Sequence, residues 1–542
     1  MEALGVMPQE GASHWILSLL AIAVVYFVGS AIYNLHFSPL AKYPGPFFAK
    51  ISGFPSFYYA IKGIRHIWIW QCHQIYGNTF RFHPNGLMIN SPSGHNSIYG
   101  TRSNVKKAKF YEVFPRNKES ISTLATIDKA MHAKKRRILN AVFSDNAVRS
   151  AETFVIKHVD RWCDLLVDNV KFDEWTEPKN AAHLTDFLVF DILGDLAFGR
   201  SFESKEPGPN PLKAIPHSIA SFVKFMYPIT KSPIVNFWVW MKPRGLDILL
   251  ERMKTPETER FENFVQASVA ERTEQEQRFQ KERIQGQQSR KDMFHYLFQA
   301  RDPDTGGPAY TPNKLYSEAT LLIIAGTDTT STAMCAIFFY LAHNPRVYKK
   351  LTREVREKFG SADEIVGGLK LASCQYLRAC IDESLRVAPP VLPELSREVL
   401  PGGLSIDGAF IPEGVQVGTS GWSLMHHDEV FGDPWVYRPE RWIVDEESGV
   451  TAEDVSRAQT AFHPFSIGVG NCVGRKLAMQ ELLITVGRLL YRMDVKVPLG
   501  DSLGAGASEL GWGRRSKRNY QLRDAYVAVK DGPMLQFKRR EL

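Results

Sequence analysis

Hydrophobic and polar positions alternate along this chain in three regimes. Trp15 to Tyr33 is an uncharged, mostly apolar run of 19 residues. At about 1.5 Å per residue such a helix spans roughly the hydrocarbon core of a bilayer. From about 120 to 385 a helical period dominates, and its longest apolar stretch, Leu315–Leu341, reads as a buried helix. Short strand-like pieces are expected near Phe80–Ile89, Leu404–Val417 and Ala525–Lys538, the last carrying the turn signal Lys530-Asp531-Gly532-Pro533. The charged run Glu271–Lys291 predicts a solvated helix and loop rather than a coiled coil. The pattern predicts a mainly α fold with a small β region.

The N-terminal run is preceded by Glu2 and Glu10 and by no Lys or Arg, so the basic segment of a cleaved signal peptide is missing. Lys42, Lys50, Lys62 and Arg65 follow it, which puts the N-terminus in the lumen and the body in the cytosol. An uncleaved anchor is expected over 1–34. A stiff, proline-rich hinge over 35–50 includes Ser38–Pro46, and one large unit fills 51–542. No internal repeat or later linker divides that unit, and 44% hydrophobic residues suffice for a large core.

Charge and cysteines narrow the chemistry. The net charge of +8 is modest for 542 residues, and with no recognised nucleic-acid module no nucleic-acid partner is expected. Basic clusters occur at Lys134–Arg137, Arg475–Lys476, Arg514–Arg518 and Lys538–Arg540. The last two read as solvated surface. The six cysteines show no paired metal-ligand spacing, and a cytosol-facing body predicts free thiols.

One cysteine stands apart. Cys472 lies in Phe465-Ser466-Ile467-Gly468-Val469-Gly470-Asn471-Cys472-Val473-Gly474, just before a predicted helix start at Arg475. Amides at a helix start lower a thiol's pKa, which suits a thiolate ligand for haem iron. Upstream, Ala325-Gly326-Thr327-Asp328-Thr329-Thr330 puts an acid and hydroxyls in an apolar helix. Such groups are costly there unless partnered. Thr329 reads either as a back-bond to the i−4 carbonyl or, with Asp328, as a proton relay. His132 and Arg136, four apart, share a helix face. Glu383 and Arg386, three apart, say little alone.

Together these segments, in this order, resemble the cytochrome P-450 monooxygenases of fungal microsomal type, from about Leu35 to the C-terminus. The loop matches Phe-x-x-Gly-x-(Arg or His)-x-Cys-x-Gly at Phe465, Gly468, Cys472 and Gly474. It departs at Gly470, where the family has a basic residue for a haem propionate. The resemblance implies that Cys472 binds the iron of haem b, that Thr329 hydrogen-bonds iron-bound oxygen and that Asp328 gates protons. It implies propionate contacts from His132, Arg136 and Arg397, and a structural triad of Glu383, Arg386 and Arg441, the last from Tyr437-Arg438-Pro439-Glu440-Arg441-Trp442. Pocket positions would include Ile324, Ala325, Val387–Leu395 and Phe110–Phe114, mostly apolar.

The chain carries no Gly-x-Gly-x-x-Gly loop and no flavin or iron–sulfur signature, so it cannot draw on NADPH itself. The resemblance implies a separate NADPH–cytochrome P-450 reductase carrying the flavins, in the endoplasmic reticulum membrane. The first two basic clusters would steer it. The expected activity is insertion of one atom of O2 into an apolar small molecule by a single-pass, monomeric protein of secondary metabolism. The alternatives are a haem-thiolate isomerase, lyase or dehydratase, an oxidative coupling enzyme and a non-enzymatic haem-binding membrane protein. The Asp328–Thr329 pair speaks against the first and the last.

Overall fold

The structure is a computed structural model that describes residues 9–115, 120–168, 170–252, 254–281, 292–302 and 304–540. Helix α1 (Gln9–Ile32) continues as a π-helical turn, Tyr33–Phe37, so the expected anchor end at residue 34 falls inside one unbroken helical rod. The span Leu17–Phe37 is long and apolar enough to cross a membrane, and none of it is buried. Arg81, itself buried, ties the rod to the body, its Nη1 donating to the Asn34 carbonyl at 2.6 Å. Behind it, Leu40 is buried and the Arg81 amide donates to Pro44.

The strands build a small β region. β1 (Thr79–His83), β2 (Gly86–Ile89), β3 (Val105–Lys107), β5 (Arg397–Val399) and β8 (Gln416–Gly418) form a sheet in the order β1-β2-β8-β5-β3. Only the β2–β8 pair is parallel. β6 (Leu404–Ile406) and β7 (Ala409–Ile411) make a hairpin. β4 (Lys179–Asn180), β9 (Met493–Lys496) and β10 (Met534–Arg539) make a third sheet. The strand signal over Ala525–Lys538 is therefore realised only from Met534. Before it, a loop turns Lys530 inward to Asp186 and Ser331.

Helices form the bulk. α2 (Pro92–Tyr99) opens on a proline, with Ser91 capping the Gly94 amide. α3 (Lys129–Val142) is capped by Asp128. α4 (Asp145–Leu166), α5 (Ala181–Phe198), α6 (Ile215–Lys231), α7 (Val235–Met241), α8 (Leu246–Arg252) and α9 (Pro256–Lys281) follow. The expected buried helix is α10 (Pro312–His343), started by Pro312 at its first turn. Every residue from Thr330 to Leu341 is buried, and α5 packs along its flank. Gly326 permits that approach: a Cβ there would meet Leu193 Cδ1 at 2.8 Å. Its smallness serves helix packing, and Gly326 also lines the cavity described below. α11 (Gln375–Val387) and α12 (Arg475–Arg492) close the core behind α10.

The run Glu271–Lys291 is not simply solvated. Within α9, Arg272 and Glu276 are buried; Arg272 donates to both Asp292 oxygens and to Glu276, each at 3.0 Å. Their charges face one another inside the protein, which a count of charged letters cannot reveal. The rest of the run, from 282, lies outside the described residues.

Candidate active site

An apolar cavity of about 460 Å³ lies between α10 and the cysteine loop. Ile324, Ala325, Gly326 and Thr329 of α10 line one side, and Phe465, Gly470, Cys472 and Gly474 the other. Of the expected pocket stretches, Pro390, Val391, Pro393, Leu395 and Phe114 reach it, whereas Phe110 is buried under the Lys231 ammonium. Sequence reasoning missed Leu193 of α5, Val223 and Tyr227 of α6, and Tyr526, which complete the lining from helices and a loop far away in the chain.

The cysteine loop folds on its own backbone. The Cys472 amide donates to the Phe465 carbonyl at 2.9 Å, which closes the loop around the sulfur. Gly468 has φ +64°, and a Cβ there would lie 2.1 Å from the Tyr99 carbonyl, so this glycine exists to let α2 seat against the loop. Gly474 follows closely, and a Cβ there would sit in ordinary contact with Sγ, at 3.9 Å. Five cysteines are buried and Cys472 alone is exposed, to the cavity that it lines. Burial pushes its thiol up, and the Gly474 and Arg475 amides and Arg136 pull the other way. The expected lowering by the helix start is present but outweighed by desolvation.

On α10, Thr329 donates to the Ala325 carbonyl at 2.6 Å, the back-bond, while lining the cavity. Asp328 is buried, and its Oδ2 has no hydrogen-bond partner among the described residues. Burial pushes its carboxyl up to about 7, and the nearby Lys530 ammonium opposes the rise. Asp328 therefore changes charge near neutrality.

Cations crowd one edge of the cavity. Arg397 sends three hydrogen bonds from Nη1, to Tyr111 Oη and the carbonyls of Leu395 and Ser396. Its Nη2 would touch a Cβ on Gly470 at 3.2 Å, so it occupies the ground next to the family's missing basic residue. Arg136 reaches the loop from α3 and donates to Asn471. Burial, then the Lys107 and Arg136 charges, hold the His132 imidazole down at about 4. Burial and Arg397 hold the Lys107 ammonium down at about 7. His132, Arg136 and Arg397 stand behind the lining rather than in it. Of the basic cluster on α3, Lys134 pairs with Asp302 and Asp304 and Lys135 is buried against Glu318, which leaves Arg137 as its exposed charge.

Glu383, Arg386 and Arg441 do converge. Arg386 donates to both Glu383 oxygens at 2.8 and 2.9 Å, and Arg441 adds a bond at 3.0 Å. Trp442 Nε1 and the Arg438 amide complete the carboxylate, a fourth and fifth contact that the triad pattern does not announce. Burial alone would raise Glu383, but the two guanidinium groups pull it down to about 2.

The family model for Cytochrome P450 matches residues 40–512. Over 524 residues the chain is 34% identical to Cytochrome P450 monooxygenase poxM of Penicillium oxalicum, covering 96% of this chain and 94% of that protein. Cytochrome P450 monooxygenase apf7 of Gibberella fujikuroi is 34% identical over 98% of each chain. AKT7 of Alternaria alternata, of the same description, is 34% identical over 96% of this chain and 97% of its own.

Proposed function

The chain belongs to the cytochrome P450 family and is a monooxygenase, and on that footing we propose that it inserts one atom of O2 into an apolar small molecule in fungal secondary metabolism. The family carries haem on a cysteine thiolate. The residues here fit that group. One cavity has a sulfur on one side and a hydroxyl on the other. Lys107, Arg136 and Arg397, gathered behind that lining, suit two carboxylates, and the buried Oγ of Ser466, which does line it, has no hydrogen-bond partner among the described residues. When bound, haem supplies the activation of dioxygen and the transfer of its oxygen atom.

Cys472 would hold the haem iron through its sulfur in this reading, on the loop that its own amide closes. Phe465, Gly468 and Gly474 shape that loop, and Arg136, Arg397 and His132 form its cationic border. Asp328 takes and gives a proton near neutral pH, and Thr329 presents its oxygen to the cavity. The apolar lining excludes water and selects an apolar substrate. Glu383, Arg386 and Arg441 keep the core behind the loop rigid.

Residues 1–34 anchor the protein in the endoplasmic reticulum membrane, 35–50 form the hinge, and 51–542 make the cytosolic catalytic unit, a monomer. Exposed Phe47, Phe48 and Phe54 beside the rod, and Phe237 and Trp240 on α7, support a membrane-facing side. Electrons come from NADPH through a separate flavoprotein reductase, since this chain has no dinucleotide loop.

The observation that carries the reading is the shared cavity of Cys472 and Thr329. The carbon monoxide difference spectrum of reduced protein tests it. A strongly red-shifted Soret band in wild type, lost in Cys472→Ser, is expected. Its absence from folded, haem-loaded wild type would overturn the thiolate assignment.

A further inference from the structure

His95 is buried in α2 at 5% exposure and lines the cavity, yet neither ring nitrogen has a hydrogen-bond partner among the described residues. An imidazole buried this way is costly unless a ligand completes it. The ring is held in place rather than loosely packed. It stacks on His463 with centroids 4.5 Å apart and planes 11° apart, and it leans on Tyr99 at 4.7 Å. His463 is fixed in turn by its Nε2 contact with the Thr460 carbonyl.

The surroundings say what the ligand is. Tyr99 carries the Arg397 guanidinium over its ring at 5.2 Å, and Arg397 reaches Gly470. Ser466, three residues after His463 and at φ +56°, turns a second buried, unpartnered group to the same wall. An imidazole N–H, a hydroxyl and a guanidinium in one corner form a carboxylate-binding set. This corner belongs to the cysteine loop, since Gly468 seats against the Tyr99 carbonyl. The carboxylate must therefore belong to the group that sits beside Cys472, not to a substrate lying along α10.

We propose that His95, seated by its stack on His463, donates a hydrogen bond to a propionate of the haem beside Ser466, and takes over part of the work that Gly470 cannot do. The proposal rests on the haem-thiolate reading above. Burial, His463 and Arg397 keep the imidazole neutral, and a neutral imidazole still has one N–H to give.

Haem transfer from the full-length holoprotein to excess apomyoglobin tests it, followed by the Soret change. His95→Phe keeps the stack and removes the donor; His95→Gln restores a donor. Faster haem loss in His95→Phe, about tenfold, with His95→Gln near wild type, is the expected result. The comparison is repeated after reconstitution with iron etioporphyrin, which carries alkyl groups in place of the propionates and so offers no acceptor there. With it the variants should lose the porphyrin at the rate of wild type. Equal rates with ordinary haem, or an equal acceleration with iron etioporphyrin, would overturn the proposal, the latter by showing a packing effect. If His95→Phe does not fold, His95→Leu takes its place in both arms. A carbon monoxide spectrum of each preparation separates the two readings. A red-shifted band with unchanged loss rates defeats only the role of His95, whereas no such band in wild type defeats the thiolate reading itself.

Discussion

Arg136 grips Asn471 at two points, Nη1 on the backbone carbonyl at 2.5 Å and Nη2 on the side-chain Oδ1 at 2.6 Å. Asn471 immediately precedes Cys472, so α3 holds the loop one residue from its sulfur. The third contact, from Nε to Asn140 Oδ1 at 3.0 Å, fixes the guanidinium within its own helix. The guanidinium keeps further N–H groups for an anion at the cavity edge.

Arg136→Lys should therefore fail to replace it. A lysine carries charge but cannot make the planar, two-point grip. The site is partly exposed, so the cost in stability is about 1 kcal/mol. Haem retention should fall in Arg136→Lys and in Asn471→Ala alike. The double variant should be little worse than either single one, since both remove the same grip. Additive losses in the apomyoglobin assay would show that the two residues act separately.

Glu383→Gln leaves Arg386 buried without its counter-charge and Arg441 with Asp433 alone. Breaking one partner of such a cluster costs about 3–5 kcal/mol, so the variant should yield little haem-loaded protein and unfold at lower denaturant. The pH dependence has a definite sign. Glu383 is held at about 2 against an ordinary 4.5, so its stabilisation is present above 4.5 and lost as pH falls through 2. Wild type should lose stability across that window, and Glu383→Gln should lose less. Normal haem content together with an unchanged acid limb would sink the role of the triad.

What was legible in the sequence was local. The apolar stretch of α10 and the Asp328–Thr329 step sit within a few residues of one another, and one helix carries both. The loop around Cys472 is likewise contiguous, and its glycines announce a tight backbone. Contacts made across the fold were hidden. Trp442 and the Arg438 amide complete Glu383 from 55 or more residues away, and Asn471 meets Arg136 across 335 positions. His95 lies in a stretch with no motif, and only burial and the missing partners draw notice to it. Arg272 shows the opposite failure: its charge was read correctly, but its direction was a property of the packing.

Asp328→Asn removes the titrating group and keeps its shape. Product formation with a reductase and NADPH should fall by about 10²-fold, the lower range for loss of a proton-transfer group, while the carbon monoxide spectrum stays unchanged. Burial raises the carboxyl from 3.8 to about 7, so the protonated form favours the folded state below 3.8 and that advantage fades as pH rises through 7. Asp328→Asn should then resist the loss of stability between pH 4 and 8 better than wild type. Lys530 lowers the carboxyl, so Lys530→Met should move the pH limb of turnover upward. A limb that stays in place would disconnect Lys530 from Asp328.

Arg397 and Gly470 make a reciprocal pair. The Nη2 of Arg397 lies 3.2 Å from the position of a Cβ on Gly470, closer than an unstrained neighbour would settle. A basic side chain at 470 and the present pose of Arg397 therefore compete for one place. Arg397→Ala should speed haem loss by about tenfold, equivalent to about 1.4 kcal/mol. Gly470→Arg alone should gain nothing, because Arg397 must first move. In the Arg397→Ala background the same substitution should recover most of the lost retention, since the new guanidinium would enter the vacated ground. Three apomyoglobin transfer rates, measured against wild type, decide it. If Gly470→Arg tightens haem in wild type as much as in Arg397→Ala, the two positions do not exchange roles, and the cationic edge does not depend on Arg397.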